Sequence, residues 1–315
     1  MKIKSLDLEN VCGYRKAKFD FTDKSGNINN ISLLYGPNGC GKSTLLDISN
    51  IVAAPRRFQG RDVSMLFRKM IHHADYDPTY QELHQFENIM KINAVLEEDG
   101  KEYKVNLEVD PRKVEGVQKG EIPFTDIGVV LNELPEDKNY YAFYSNADNP
   151  SNMSRFQINA KAKDIFLDIA TAVYGYECVL EKEVEEYDSQ VGDYVTFFTD
   201  FIIRKEDEGE DIRVHFKRMS AGEKKIATLL AEMCSPAQKD MFDIYLIDNV
   251  ELHIYFERHT LMIDKLLEHF PDKQIIATSH SPILVGLKGV IEPYMPKESL
   301  FDVVATKRAG VSQLM

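Results

Sequence analysis

Polar and apolar residues alternate along Lys2-Ile3-Lys4-Ser5-Leu6-Asp7-Leu8 and again along Ala17-Lys18-Phe19-Asp20-Phe21. A period of two predicts short strands over 2–8 and 17–21, joined by a turn at Gly13-Tyr14-Arg15. After a polar turn from Asn27 to Asn30, Ile31-Ser32-Leu33-Leu34-Tyr35 is a short apolar run suited to a buried strand of a parallel sheet. Residues 43–54 read as a helix that Pro55 ends. Alternation resumes over 89–96 and 102–109, and Glu98-Asp99-Gly100 between them predicts a β-hairpin with an Asp-Gly turn. Pro111, Pro123 and Pro135 mark 111–138 as irregular, as does the Asn, Asp, Ser and Pro cluster from Ser145 to Ser154.

Residues 160–187 are expected to be helical, ending in an acidic run of Glu181, Glu183, Glu185 and Glu186. A second hairpin is expected over 194–217, turning at Glu206–Glu210. An α/β pattern then returns. Residues 220–234 place Ile226, Leu229, Leu230 and Met233 on one helix face, and Ile244-Tyr245-Leu246-Ile247 is a strand. Ile263, Leu266, Leu267 and Phe270 give another helix face, and Pro271-Asp272-Lys273 turns the chain into a strand over Gln274–Thr278. There is no internal repeat and no sustained heptad pattern.

With 315 residues, 43% hydrophobic and 28% charged, the chain can bury a core without disulfides or a structural metal. The net charge of −13 argues against a wholly basic nucleic-acid coat or a membrane-surface protein, while leaving room for a local basic patch. Cys12, Cys40, Cys178 and Cys234 lie far apart with no zinc-ligand spacing, which fits a reducing compartment. The N-terminus lacks the apolar core of a signal peptide, and no run of apolar residues is long enough to span a membrane. The expected location is cytoplasmic, with no membrane contact.

Gly36-Pro37-Asn38-Gly39-Cys40-Gly41-Lys42-Ser43 matches the phosphate-loop pattern G-x-x-x-x-G-K-[ST], after a predicted strand and before a predicted helix. Glycines let backbone N–H groups turn towards phosphates, and the helix N-terminus adds positive potential. Asn38, Gly39, Cys40, Gly41, Lys42, Ser43 and Thr44 are the candidate ATP-binding residues, Lys42 reaching the outer phosphates and Ser43 ligating Mg²⁺. Ile244–Asp248 is four apolar residues ending in an acid, the pattern that delivers a second Mg²⁺ ligand, Asp248, to a sheet edge. Related ATPases follow this acid with Glu. Here Asn249 follows, an amide that orients water but cannot take its proton. Glu251 is the nearest carboxylate, in Asp248-Asn249-Val250-Glu251-Leu252-His253. Either Glu251 is the base, or hydrolysis is slow and ATP is a long-lived clamp; the plain alternative for Glu251 is a solvated acid near a strand end.

Met219-Ser220-Ala221-Gly222-Glu223 precedes a helix, and its S-x-x-E spacing is that of a capping box. The same geometry makes an anion site for a γ-phosphate. The order is phosphate loop, inserted middle, S-A-G-E helix, acid-terminated strand and then Thr278-Ser279-His280-Ser281-Pro282. It resembles the ATP-binding-cassette (ABC) ATPases, with Met219 and Ala221 departing from the family's L-S-G-G-[QE]. The opening Leu8-Glu9-Asn10-Val11-Cys12-Gly13-Tyr14 and the D-x-x-E-L-H and T-S-H-S-P forms resemble the SMC/RecF/OLD branch. No clear Q-loop glutamine is present; Gln157 is the nearest candidate.

The resemblance implies an α/β P-loop NTPase fold: an ABC ATPase head with a mixed sheet, an antiparallel β-subdomain and a helical insertion. Residues 1–315 would form a single head, with an N-terminal lobe over 1–110, an irregular and helical insertion over 111–190 and a C-terminal lobe over 191–315. It further implies ATP and Mg²⁺ as cofactors and His280 as a γ-phosphate sensor. Ser220, Gly222 and Glu223 would act in trans, in a head-to-tail homodimer or higher homo-oligomer. OLD-type proteins continue into a TOPRIM nuclease, whereas this sequence ends 35 residues after His280. The expectation is therefore a separate effector protein, a TOPRIM-type nuclease being one form, in anti-phage defence or DNA metabolism. A RecF-like ATPase that binds DNA through Arg56, Arg57, Arg61, Arg68 and Lys69 is the alternative, that cluster reading equally as a solvated face. A transporter subunit is the third reading.

Overall fold

A computed structural model describes residues 1–11, 14–36, 41–53, 89–109, 129–131, 142–146, 156–188, 192–207, 209–236 and 241–284. The chain divides into two compact units, one of residues 1–142 with 292–315 and the other of residues 143–291. Among the described residues no helix is long and apolar enough to cross a membrane.

In the first unit β1 (Lys2–Val11) pairs antiparallel with both β2 (Tyr14–Asp20) and β4 (Met90–Glu98). β5 (Lys101–Val109) and β6 (Val129–Leu131) extend that sheet in the order β2-β1-β4-β5-β6. The buried positions of β1 are Ile3, Leu6, Leu8 and Val11, so strict alternation fails twice. A register shift between Ile3 and Ser5 accounts for the first slip, and the positive φ of Asn10 (55°) accompanies the second, bringing Val11 to the core face. The β4–β5 hairpin turns on Asp99 (φ 52°) and Gly100 (φ 75°), the pair of left-handed residues that a type I′ turn requires. β3 (Ile31–Tyr35) and α1 (Lys42–Ala53) flank the glycine-rich loop, and α1 buries Leu45, Leu46, Ile48, Ile51 and Val52.

The second unit holds β7 (Ala142–Asn146), β8 (Ile158–Asn159), α2 (Lys163–Tyr174), β9 (Glu177–Asp188), β10 (Asp193–Asp207) and β11 (Glu210–His215). α3 (Ala221–Cys234), β12 (Ile244–Asp248), α4 (His259–His269) and β13 (Gln274–Ser279) follow. β12 and β13 are parallel neighbours, buried along their whole lengths, with β7 on the other side of β12. An aromatic cluster fills the base of the β10 sheet. Phe156 stacks on Phe201 at 5.5 Å between centroids and Phe166 meets Phe201 edge-on at 5.1 Å.

The expected helix over 160–187 is half right. Helix α2 stops at Tyr174, where Gly175 takes a left-handed φ of 75° and its N–H bonds the Thr171 carbonyl. Residues 177–188 are instead strand β9, zipped antiparallel to the fifteen-residue β10. Glu and Lys favour helix weakly, but alternate burial of Cys178 and Leu180 and a full ladder to β10 outweigh that preference. Ser145 and Asn146, expected in an irregular stretch, end strand β7. Within 111–138, residues 129–131 are strand β6 and the remainder lies outside the described residues.

Candidate nucleotide-binding elements

The first unit supplies a strand, a glycine-rich loop and a helix. Asn38, Gly39 and Cys40 lie outside the described residues, but both ends of the loop are defined. Gly41 adopts φ +95°, and a Cβ there would collide with the Tyr14 ring. Glycine is thus required by both conformation and space. Tyr14, itself buried, donates its hydroxyl to the Gly41 carbonyl at 2.9 Å and sits edge-on to Phe19. Lys42 is buried and its ammonium donates to the Gly36 carbonyl at 2.8 Å, closing the two ends of the loop on each other. Ser43 is exposed and Thr44 half-buried at the start of α1, which has no acidic residue in its first turn. That helix end suits an anion, through its outward N–H groups and its dipole.

The second unit builds its part around two strand ends. β12 carries Asp248 out of a fully buried strand, and β13 ends beside it at Thr278 and Ser279. The Thr278 hydroxyl donates to Asp248 Oδ1 at 2.6 Å and accepts the Asn249 N–H at 2.7 Å. The Val250 N–H donates to the Thr278 carbonyl at 3.1 Å. Asn249 has φ +55°, a left-handed conformation that asparagine tolerates better than most side chains. The loop then turns twice, Leu252 N–H to Asn249 carbonyl and Ile254 N–H to Glu251 carbonyl. Glu251 Oε1 accepts the backbone N–H of His280 at 2.6 Å. The His280 side chain stands exposed beyond this tie. His259, buried, faces Ile254 carbonyl with Nε2 at 2.9 Å and Ser281 hydroxyl with Nδ1 at 2.8 Å. A carbonyl only accepts, so Nε2 carries a proton, while the Ser281 hydroxyl can meet Nδ1 as donor or acceptor.

Ser220 caps α3. Its hydroxyl accepts the Glu223 N–H at 3.2 Å and Glu223 Oε2 accepts the Ser220 N–H at 2.9 Å, so the capping box read from the sequence is formed. Burial works against the Glu223 charge. The Ser220 N–H and hydroxyl and the Lys205 ammonium, 3.2 Å from Glu223 Oε1, outweigh it and hold the carboxyl below its ordinary range. The Tyr174 hydroxyl donates to the Glu223 carbonyl at 2.6 Å, and Met219 is buried where the family has Leu. A Cβ on Gly222 would stand 3.1 Å from the His253 ring. Gly222 therefore lets the helix N-terminus approach that imidazole, held out at φ +67°.

Gly41, Lys42, Ser43 and Thr44 thus share the α1 end of the first unit. Asp248, Asn249, Glu251 and His280 share one bonded loop pair of the second, and Ser220, Gly222 and Glu223 share the α3 end. Tyr14, Thr278, His253 and His259 join them without having been assigned roles from sequence. Tyr14, Thr278 and His253 fall inside motifs already recognised, whereas His259 acts through contacts that leave no local signal. The basic cluster Arg56–Lys69 lies outside the described residues. Gln157 donates to Glu186 at 3.1 Å. The Ser43 hydroxyl of the first unit and the Asp248 carboxylate of the second are each oxygen donors, the kind a hard cation such as Mg²⁺ takes.

Residues 131–286 match the profile of the family described as "AAA domain, putative AbiEii toxin, Type IV TA system", and residues 5–49 match a second AAA domain profile. No curated protein matches the chain significantly. Among solved structures, the SMC head domain with an extended coiled coil bound to the C-terminal domain of ScpA, derived from Pyrococcus furiosus, is 11% identical. The alignment covers 98% of this chain and 99% of that one with a TM-score of 0.50, a likeness of fold. The SMC head domain from Thermotoga maritima is 17% identical over 92% of this chain and 94% of that one, with a TM-score of 0.47. The chain has the mixed α/β fold of an SMC-type head. Two of its segments are similar to AAA domains.

Proposed function

We propose that the chain is an ATP-gated clamp. Lys42, Ser43 and Asp248 hold ATP and Mg²⁺ in one subunit, with Asn38–Gly41 and Thr44 around the phosphates. The Ser220–Glu223 helix end of a second subunit completes the site against the γ-phosphate. Bound Mg²⁺ would neutralise phosphate charge and polarise the γ-phosphorus. The observation that carries this reading is the Thr278 hydroxyl, which fixes Asp248 and the Asn249 backbone together and ties the metal-ligand strand to the segment bearing His280. A γ-phosphate sensed by His280 would be felt at once by the loop that follows Asp248. Closure follows from differential affinity: ATP tightens the dimer only as far as it binds the closed form better than the open one.

The clamp then holds or licenses a separate effector, of which a nuclease in anti-phage defence or DNA metabolism is the form we favour. Support for a protein partner comes from the Pyrococcus furiosus SMC head, which is bound to a domain of ScpA. Lys42→Ala removes the ammonium that the phosphates require. Light scattering should find wild type dimeric with ATP·Mg²⁺ and the variant monomeric. A variant that dimerises with bound ATP would sink the proposal.

A further inference from the structure

We infer that Glu251 positions the segment bearing His280 and is not the proton acceptor of hydrolysis. This inference rests on the reading of the chain as an ATP-hydrolysing clamp and resolves which acid, if any, serves as base. Glu251 Oε1 is committed: it accepts the His280 N–H at 2.6 Å, a short charge-assisted bond. Glu251 Oε2 is buried without a hydrogen-bond partner among the described residues. A general base must lie within hydrogen-bond reach of the proton it removes, directly or through one water. Here Oε1 is turned to a backbone donor and Oε2 is closed off from solvent.

The neighbouring bonds explain what the carboxylate does instead. Thr278, His280 and Ser281 of one segment are each tied to the loop 248–254 or to the helix behind it. Thr278 bonds Asp248 and Asn249, His280 bonds Glu251, and Ser281 bonds His259, which also holds Ile254. Glu251 supplies the tie at His280 itself. It fixes the backbone of His280 while leaving its imidazole exposed. With Asn249 unable to accept a proton, the loop after Asp248 then offers no carboxylate to water, and turnover is slow by construction.

Glutamine keeps an acceptor oxygen at this place and alanine does not, so the pair separates a tie from a base. In the full chain, Glu251→Ala should raise amide exchange at His280 and lower single-turnover ATP hydrolysis, each by about tenfold or more. Glu251→Gln should rescue both to within about threefold of wild type, since a neutral acceptor is weaker but still present. Equal loss of hydrolysis in both variants, with His280 still protected in Glu251→Gln, would make Glu251 the base and overturn the inference. Unchanged exchange at His280 in Glu251→Ala would overturn it as well. Failure of wild type to bind ATP would instead remove the clamp reading, and the exchange measurements would still decide the tie.

Discussion

The Tyr14 hydroxyl reaches the carbonyl of Gly41 across 27 positions of sequence and defines the far end of the phosphate loop. A part-buried neutral hydrogen bond of this kind contributes about 1 kcal/mol net, and the Gly41 carbonyl still accepts the Leu45 N–H without it. Tyr14→Phe keeps the ring against Phe19 and removes only that bond. The expected result is a melting temperature lower by a few degrees and ATP binding weakened several-fold, measured by calorimetry and titration. Ser220 offers a cleaner separation of fold from function. Aspartate is as good an N-cap as serine and suits the helix dipole, so Ser220→Asp should leave α3 intact. Its charge would face the γ-phosphate of the partner site, and ATP-dependent dimerisation should disappear while the circular dichroism spectrum and melting temperature stay close to wild type.

α2 and α4 are joined by charge as well as by apolar side chains. Asp168 on α2 meets Lys265 at 2.8 Å and His269 at 2.7 Å on α4, and Lys265 also meets Glu268 at 3.0 Å. Asp168, Glu268 and His269 stand close enough to suggest a metal site, but the Lys265 ammonium already supplies the cation between the two carboxylates. Lys265 first and His269 second hold the Asp168 carboxyl below its ordinary range. A carboxyl depressed in the folded state stabilises fully above its unfolded pKa, and the effect is lost as pH falls through the folded value. The gap in melting temperature between wild type and Asp168→Asn should therefore be widest near neutral pH. It should begin to narrow below about pH 4, where the unfolded carboxyl first takes up protons, and close as pH falls through the lower folded value. A constant gap from pH 7 to pH 3 would mean the pair contributes nothing through charge. The strand β9 teaches the complementary lesson, since its Glu-rich sequence reads as helix until β10 is known to lie beside it.

For the whole assembly the decisive prediction concerns sites shared between subunits. Lys42→Ala and Ser220→Asp proteins should each be inactive alone. Mixed, they form a dimer in which one site joins an intact phosphate loop to an intact α3 end. ATP hydrolysis should therefore reappear on mixing, at up to about half the wild-type rate for a shared-site dimer of this symmetry. No recovery would mean that both elements serve the same subunit. The net charge of −13 fits this picture of a molecule whose surface faces solvent or protein partners.

Local chemistry made much of this legible from the chain alone. The glycine-rich loop between strand and helix, the Asp-Gly hairpin, the S-x-x-E cap and the acid at the end of an apolar run are each written in a few consecutive residues. Their physics is correspondingly short-range: backbone conformation, helix-end N–H groups and side-chain periodicity. What the tertiary structure decided lies between distant segments. Only the pairing of β12 with β13 brings Thr278 onto Asp248 and Asn249, and only that proximity brings Glu251 to the His280 N–H. The residue types in the sequence left Glu251 open as either base or bystander, because a carboxylate's role depends on which donor reaches it first. That choice is made by packing of strands and loops far apart in the chain, where composition and spacing carry no information.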